Sequence, residues 1–181
     1  MNGANVLGWI QWSKGWVVGT ALLLTFSGGA RAETKVFQVG PFRFEVPDGW
    51  AHRVPDSPMR KAELRSPDGK DEAVFFFFGP GQGGSAEDNV KRWLGQVSER
   101  KEENVETETI GQTRITLVRA RGTYASGMPG GPTTPVPDTL LLGAILEGSG
   151  GNVFVRMTGP AEAMKEEESA FRAMVKAAAA N

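Results

Sequence analysis

The sequence contains no cysteine, a single histidine and almost equal numbers of acidic and basic residues. Without cysteine, the chain forms no disulfides, offers no thiolate to a metal ion and carries no lipid attached at a cysteine. One histidine and scattered carboxylates are too few ligands for a zinc or copper site. A formal net charge of −1 also lacks the basic footprint of a nucleic-acid-binding protein. We therefore expect no cofactor, no metal and no nucleic-acid partner.

Residues 1–32 have the three parts of a secretory signal peptide. A positive flank ends at Lys14, an uncharged apolar run covers residues 15–30, and an Ala-x-Ala site lies at Ala30 and Ala32. Cleavage is expected after Ala32. The apolar run is shorter than the ~20 residues that a permanent membrane helix needs. The sequence thus predicts an exported protein, periplasmic or secreted, with no membrane span after cleavage.

The flank before this apolar run is itself unusually apolar, since it contains Trp9, Ile10 and Trp12. A leader that is not cleaved and stays as an anchor is therefore the alternative. Residues 33–181 are the expected mature chain, which is long enough to bury a core without disulfide staples. We predict that they form a single domain.

Apolar patterning predicts about six strands. The expected strands cover residues 36–46, 59–65, 73–78, 113–121, 140–146 and 153–158. Residues 73–78 are apolar at every position, which is typical of a central strand covered on both faces. The last two strands flank the glycine-rich stretch 148–152 and are expected to form a hairpin.

Two helices are predicted among these strands. Ser85 and Asp88 form a capping pattern, followed by an apolar stripe that includes Trp93. This helix is expected to fade in residues 99–103. A second helix is expected from residues 159–160 to about residue 178, with an apolar stripe of Met164, Phe171, Met174 and Val175. Strands and helices do not alternate regularly, which favours an α+β domain with a mainly antiparallel sheet packed between the two helices.

Residues 122–139 contain four prolines and four glycines and carry few signals for ordered structure. The sequence predicts a long loop here. Loops longer than ~12–15 residues are usually functional or disordered. We therefore treat residues 122–139 as a candidate contact surface.

The segment Gly79-x-Gly81-x-x-Gly84 follows a predicted strand and opens a helix, as a dinucleotide fingerprint does. Pro80 and the lack of a following strand-helix-strand unit argue against it. A phosphate-binding Walker loop would need a lysine between Gly84 and Ser85, and none is present. A tight crossover between strand and helix is the simpler interpretation. Binding of a nucleotide or another anion at residues 79–84 remains a remote alternative.

The candidate ligand-binding residues are Gly81, Gly83, Gly84, Asn89 and Arg92. In one interpretation Asn89, Arg92 and the loop amides face a ligand. In the other, Asn89 reaches back to the glycine loop and fixes it through backbone hydrogen bonds. The residues leave both interpretations open, and the structural one is favoured.

Catalytic motifs are absent or incomplete in the sequence. There is no Gly-x-Ser-x-Gly, and Ser98-x-x-Lys101 lacks the companion motifs of the serine enzymes that use it. His52, beside Trp50 in a proline-bounded loop, has no marked nucleophile to activate. A secreted hydrolase that uses His52 or a carboxylate is therefore the alternative to a non-catalytic protein, and no catalytic residue is assigned.

Several short segments carry a resemblance that covers nearly all of residues 33–181. They are Phe42-x-Phe44-x-Val46-Pro47-x-Gly49-Trp50, Met59-Arg60, Phe76-x-Phe78-Gly79-Pro80-Gly81-Gln82-Gly83-Gly84, Asn89-x-x-Arg92-Trp93, Gly122-Thr123-Tyr124 and Thr158-Gly159-Pro160. In these the chain resembles small, uncharacterised exported bacterial proteins. More loosely, its opening strand and the order of its elements are similar to the PsbP-like fold, a curved antiparallel sheet between helices.

The resemblance implies a binding or accessory role and transfers no catalytic residue. The leading hypothesis is an exported, non-catalytic accessory or binding module of the cell envelope. Its expected partner is another envelope protein. Residues 122–139 and 79–84 are its predicted contact surfaces.

Overall fold

The computed structural model describes residues 35–127 and 131–181. The predicted signal peptide, with its cleavage site at Ala30 and Ala32, lies outside the described residues. The strands are β1 (Val36–Val39), β2 (Phe42–Glu45), β3 (Ala51–Arg53), β4 (Arg60–Arg65), β5 (Glu72–Phe77), β6 (Val97–Ile110), β7 (Thr113–Gly127), β8 (Thr133–Gly148) and β9 (Gly151–Pro160). The helices are α1 (Ala86–Gly95) and α2 (Ala161–Ala180).

Strands β3 to β9 form one seven-stranded sheet in the order β3-β4-β5-β9-β8-β7-β6, and every neighbouring pair is antiparallel. The short strands β1 and β2 pair separately as a hairpin. The apolar strand predicted at residues 73–78 is β5, next to the β8–β9 hairpin that the glycine-rich turn predicts. The α+β class and the antiparallel sheet between two helices are thus confirmed.

One face of the sheet is covered by α2 and by the β1–β2 hairpin. The predicted stripe of α2 is buried, with Met164 and Val175 fully enclosed. Phe37 and Phe44 of the hairpin meet the ring of Phe75 edge-on, with centroids 5.1 and 5.0 Å apart. Edge-to-face contacts of this kind add to the free energy gained from burying the rings. This face holds the larger of the two hydrophobic clusters in the described residues.

The opposite face is covered in part by α1, which docks through Trp93. The indole is 4% exposed and lies directly over Gly143 of β8. A Cβ atom on Gly143 would lie 2.6 Å from two carbon atoms of that indole, so only a glycine allows this approach. Val118 and Ile145 complete the contact.

The bounds of two predicted elements are wrong. Residues 36–46 are two strands that turn at Gly40, whose φ is 54°. Residues 99–103, predicted as the fading end of α1, belong to β6, and α1 ends at Gly95. Strand β6 lies at the edge of the sheet and most of its side chains are exposed, so its run of charged residues shows no alternation.

The long loop predicted at residues 122–139 is also wrong over most of its length. Strand β7 continues to Gly127, β8 begins at Thr133, and the two stay paired from Gly122↔Thr139 to Gly127↔Thr133. Strand β9 pairs with β8 only as far as Thr139, so one edge of β8 is free at residues 133–138, and proline is tolerated on such an edge. The prolines therefore lie in the part of β8 that extends beyond the rest of the sheet.

Ion pairs join α2 to the polar strands at this edge. Arg119 of β7 contacts Glu168 of α2 at 3.0 Å, and Arg172 of α2 contacts Glu106 of β6 at 3.1 Å. Glu168 also accepts from Arg172 at 3.0 Å, so the charges form a connected row. Networks hold their geometry better than isolated surface pairs do. Charged residues of β6 thus help to hold α2 against the sheet.

Substitution of Gly143 tests the docking of α1. Gly143→Ala should lower the free energy of unfolding by about 1–3 kcal/mol, because the added methyl group displaces Trp93. Gly95→Ala is the matched control, since nothing lies within 4 Å of its added Cβ and alanine favours a helix. Urea unfolding followed by tryptophan fluorescence measures both. Equal stability of the Gly143 variant and the wild type would contradict this packing.

Candidate functional site

The glycine loop between β5 and α1 has a conformation that requires glycine. Gly79, Gly81, Gly83 and Gly84 all have positive φ, between 68° and 101°. At Gly83 the packing is also tight, since a Cβ atom there would lie 2.6 Å from the ring of Phe154. The glycines of the motif are thus explained by the path of the chain.

The start of α1 is capped as the sequence predicts. Ser85 Oγ accepts a hydrogen bond from the backbone N–H of Asp88 at 3.0 Å and donates to its carboxylate at 2.6 Å. The carboxylate of Asp88 therefore lies at the positive end of the helix dipole, where a phosphate would otherwise bind. Like charge and an existing cap make this end of α1 a poor phosphate site.

Asn89 is buried, with 1% of its surface exposed, and its hydrogen-bonding atoms are engaged. Its Nδ2 donates to the carbonyl groups of Gly83 and Ser85, both at 2.8 Å, and its Oδ1 accepts from Arg92. These contacts hold the glycine loop against the first turn of α1. They match the interpretation in which Asn89 orders the loop.

Arg92 points toward Asn89 and not along the solvated side of α1. The helical spacing predicts ion pairs between Glu87 and Lys91 and between Asp88 and Arg92. Within residues 35–127 and 131–181 neither ion pair forms; Asp88 is instead bound to Ser85, and Arg92 to Asn89. Arg92 therefore has no carboxylate partner among the described residues.

Arg156 of β9 completes this surface, and the sequence analysis missed it. Its Nη1 donates to Oε1 of Gln96 at 2.9 Å, and its guanidinium lies over the ring of Tyr124, 6.0 Å from the centroid. Burial lowers the pKa of Arg156, and the positive charges of Arg60 and Arg92 lower it further; Tyr124 and the negative charge of Glu72 oppose this effect. The signal that could have identified Arg156 from the sequence is a charged residue between the apolar residues Val155 and Met157 of a predicted strand.

Four arginines share the α1 side of the sheet beside this helix, and we call them the arginine face: Arg60, Arg65, Arg92 and Arg156. Arg60 contacts Glu63 at 2.6 Å and Glu72 at 3.2 Å, and Arg65 contacts Glu72 at 3.4 Å. The two glutamates are thus used by Arg60 and Arg65. Among the described ion pairs, none neutralises Arg92 or Arg156.

His52 lies in β3 and not in a loop as predicted. The side chain is exposed, and its ring stacks on Phe37 with the centroids 4.6 Å apart. No described residue forms a hydrogen bond with its imidazole nitrogens, so His52 has neither a nucleophile nor an orienting acid beside it. The hydrolase alternative based on His52 finds no support in this geometry.

A second group of carboxylates lies at the other end of β5. Asp71 is 1% exposed and its Oδ1 has no partner among the described residues, while Glu167 accepts from Nε1 of Trp50 at 3.0 Å. Burial raises the pKa of Asp71 to about 6, with contributions from the charges of Asp68 and Glu167. The glycine loop lies roughly 20 Å away along the extended strand, so the structure does not bring the two together.

Asp71 provides a test with a defined sign. Its carboxyl pKa is higher in the folded chain than in the unfolded one, so rising pH between about 4 and 6 should remove stability. Asp71→Asn should leave the free energy of unfolding unchanged near pH 4 and raise it at neutral pH by on the order of 1–3 kcal/mol.

Denaturation at both pH values measures the effect. Asp56→Asn, an exposed position, is the control that removes the same charge. An Asp71 variant that is less stable than the wild type at neutral pH would show that the carboxylate has a stabilising partner.

Within the part of the chain that the structure describes, no helix is long and apolar enough to cross a membrane. The same residues contain no cluster of three or more histidine, cysteine, aspartate or glutamate side chains placed to hold a metal ion. These findings concern residues 35–127 and 131–181 alone.

Comparison with known proteins identifies the fold. No family model and no curated protein matches the chain. Among solved structures, it is similar to the solution structure of cyanobacterial PsbP (CyanoP) from Synechocystis sp. PCC 6803, with a TM-score of 0.53 and 14% sequence identity. The match covers 84% of this chain and 95% of that protein. The chain therefore has a PsbP-like α+β fold, as the sequence resemblance implied.

Proposed function

We propose that this protein is an exported accessory or binding module of the cell envelope that acts through contact with another envelope protein. The leader pattern of residues 1–32 supports export to the periplasm or the medium. The chain has a PsbP-like fold, and the resemblance to proteins of that fold implies an accessory role. The single observation that carries the proposal is a hairpin that leaves the sheet.

This hairpin arm consists of residues 125–127 and 133–138. Pairing of β6 with β7 ends at Tyr124, and pairing of β9 with β8 ends at Thr139, so the arm extends beyond both neighbours. All side chains of residues 133–138 are exposed, including Val136 at 41%. A two-stranded extension with exposed side chains buries little of its own surface, which suits a contact surface.

The base of the arm is fixed to the body of the domain. Asp138 has a φ of 50° beside an irregularity in the β7–β8 pairing, and its carboxylate contacts Arg121 at 2.8 Å. Arg121 also contacts Glu162 of α2 at 3.2 Å. These ion pairs orient the arm, which lowers the entropy that a partner must remove on binding.

Prolines determine how the arm would contact a partner. Pro135 and Pro137 are two residues apart and lack the N–H groups that an added strand would need. A partner that extends the sheet is therefore disfavoured, and recognition by side chains is favoured. The glycine loop, beside Phe78 with 42% exposure, is the second proposed contact surface.

Removal of an apolar side chain from the arm tests the proposal. Val136→Ser should weaken capture of the partner from native envelope extract when the purified protein is the bait. Val105→Ser is the matched control, because Val105 is also a strand residue and is 43% exposed. Capture is measured by quantitative mass spectrometry, and thermal unfolding checks that both variants fold.

A second variant replaces residues 128–137 by a short Gly-Ser linker, which removes Pro135, Val136 and Pro137. Full capture of the partner by this shortened protein would show that the arm is not a contact surface. Equal losses with Val105→Ser and Val136→Ser would show that the arm has no special role.

Processing of the leader tests the export part separately. In a bacterial host the exported chain should begin at Glu33, as shown by the intact mass, and Ala32→Arg should block cleavage because signal peptidase requires a small residue there. Ala21→Leu, inside the apolar run, is the control that leaves the cleavage site unchanged. An intact chain that keeps residues 1–32 in the membrane fraction would favour the anchor alternative.

A further inference from the structure

The guanidinium group of Arg156 has more donors than the protein uses. A guanidinium offers five N–H groups in a fixed plane. Among the described residues, one of them donates to Gln96 and none meets a carboxylate. Arg156 is half-buried between α1 and the sheet. A charge in such a position is costly unless it is paired and hydrogen-bonded.

Arg92 lies beside Arg156 on the same side of α1. Arg92 and Gln96 are four residues apart in and just after the helix, so their side chains are neighbours. Gln96 holds Arg156, and Asn89 holds Arg92 through one guanidinium nitrogen. The two like charges are thus positioned together by uncharged side chains.

The acidic side chains nearby are already engaged. Glu63 and Glu72 contact Arg60 and Arg65, and Asp88 caps the start of α1. The ring of Tyr124 attracts the Arg156 charge, but its hydroxyl has no hydrogen-bond partner among the described residues. A cation–π contact at 6.0 Å is weaker than a carboxylate pair. This part of the arginine face therefore keeps an excess of positive charge, which Glu72 offsets only from a distance at Arg156.

We propose that Arg92 and Arg156 form a binding site for an oxyanion, a carboxylate or phosphate group of a small molecule, with the Tyr124 hydroxyl as a third donor. Planar guanidinium groups match the paired oxygens of carboxylates and phosphates. The site lies on the face of the sheet beside the last turn of α1, away from the capped helix start. It is independent of the arm and goes beyond the proposed function.

Titration of the purified protein with inorganic phosphate and, separately, with succinate tests the site. Ionic strength is held constant with chloride so that screening does not change. Saturable binding of one or both anions is expected by calorimetry, and the anion that saturates identifies the group. Arg156→Gln should raise the Kd about tenfold or more. Arg156→Lys, which keeps the charge but loses the planar fork, should recover part of the affinity.

Two further variants keep the test decisive. Arg43→Gln removes an exposed arginine of β2 and should leave the Kd unchanged. Tyr124→Phe keeps the ring under Arg156, so it should fold even if Arg156→Gln does not, and it should weaken binding. Unchanged binding in folded Arg156→Gln or in Tyr124→Phe, or no saturable binding of either anion by the wild type, would overturn the proposal.

Discussion

The structure depends on the need to cover both faces of its central strands. Strands β5, β9, β8 and β7 carry apolar side chains on both sides, so each face requires a helix. Helix α2 has 20 residues and covers one face together with the β1–β2 hairpin, whereas α1 has 10 residues and covers only part of the other. The contact between Trp93 and Gly143 determines which part of that face α1 covers.

The chemistry of the opposite face follows from this short cover. Beyond α1 this face of the sheet is exposed to water. There the ion pairs of β4 and β5 involve Arg60, Arg65, Glu63 and Glu72. Arg156 lies at the border between the covered and the solvated parts, where it is partly buried and forms no ion pair with a described carboxylate. The same docking that buries Trp93 thus leaves a charge for an outside group to neutralise.

Local chemistry was readable from the sequence, and long-range pairing was not. The Ser85 cap, the apolar strand β5 and the stripe of α2 follow from spacing within one element, and all are confirmed. The edge strand β6 and the long β7–β8 hairpin depend on pairing between distant residues, which no local pattern encodes. Asn89 was identified from its position, but Arg156 required knowledge of which strand lies under α1.

The most direct test of the account is chemical-shift mapping of the labelled protein during a phosphate titration at constant ionic strength. We predict saturable shifts of the Nε–H signals of Arg92 and Arg156 and of the backbone around Tyr124, with the Nε–H signal of Arg43 unmoved. Shifts confined to the amides of residues 81–84 would place the anion at the glycine loop and contradict the account. An unchanged spectrum would contradict it as well.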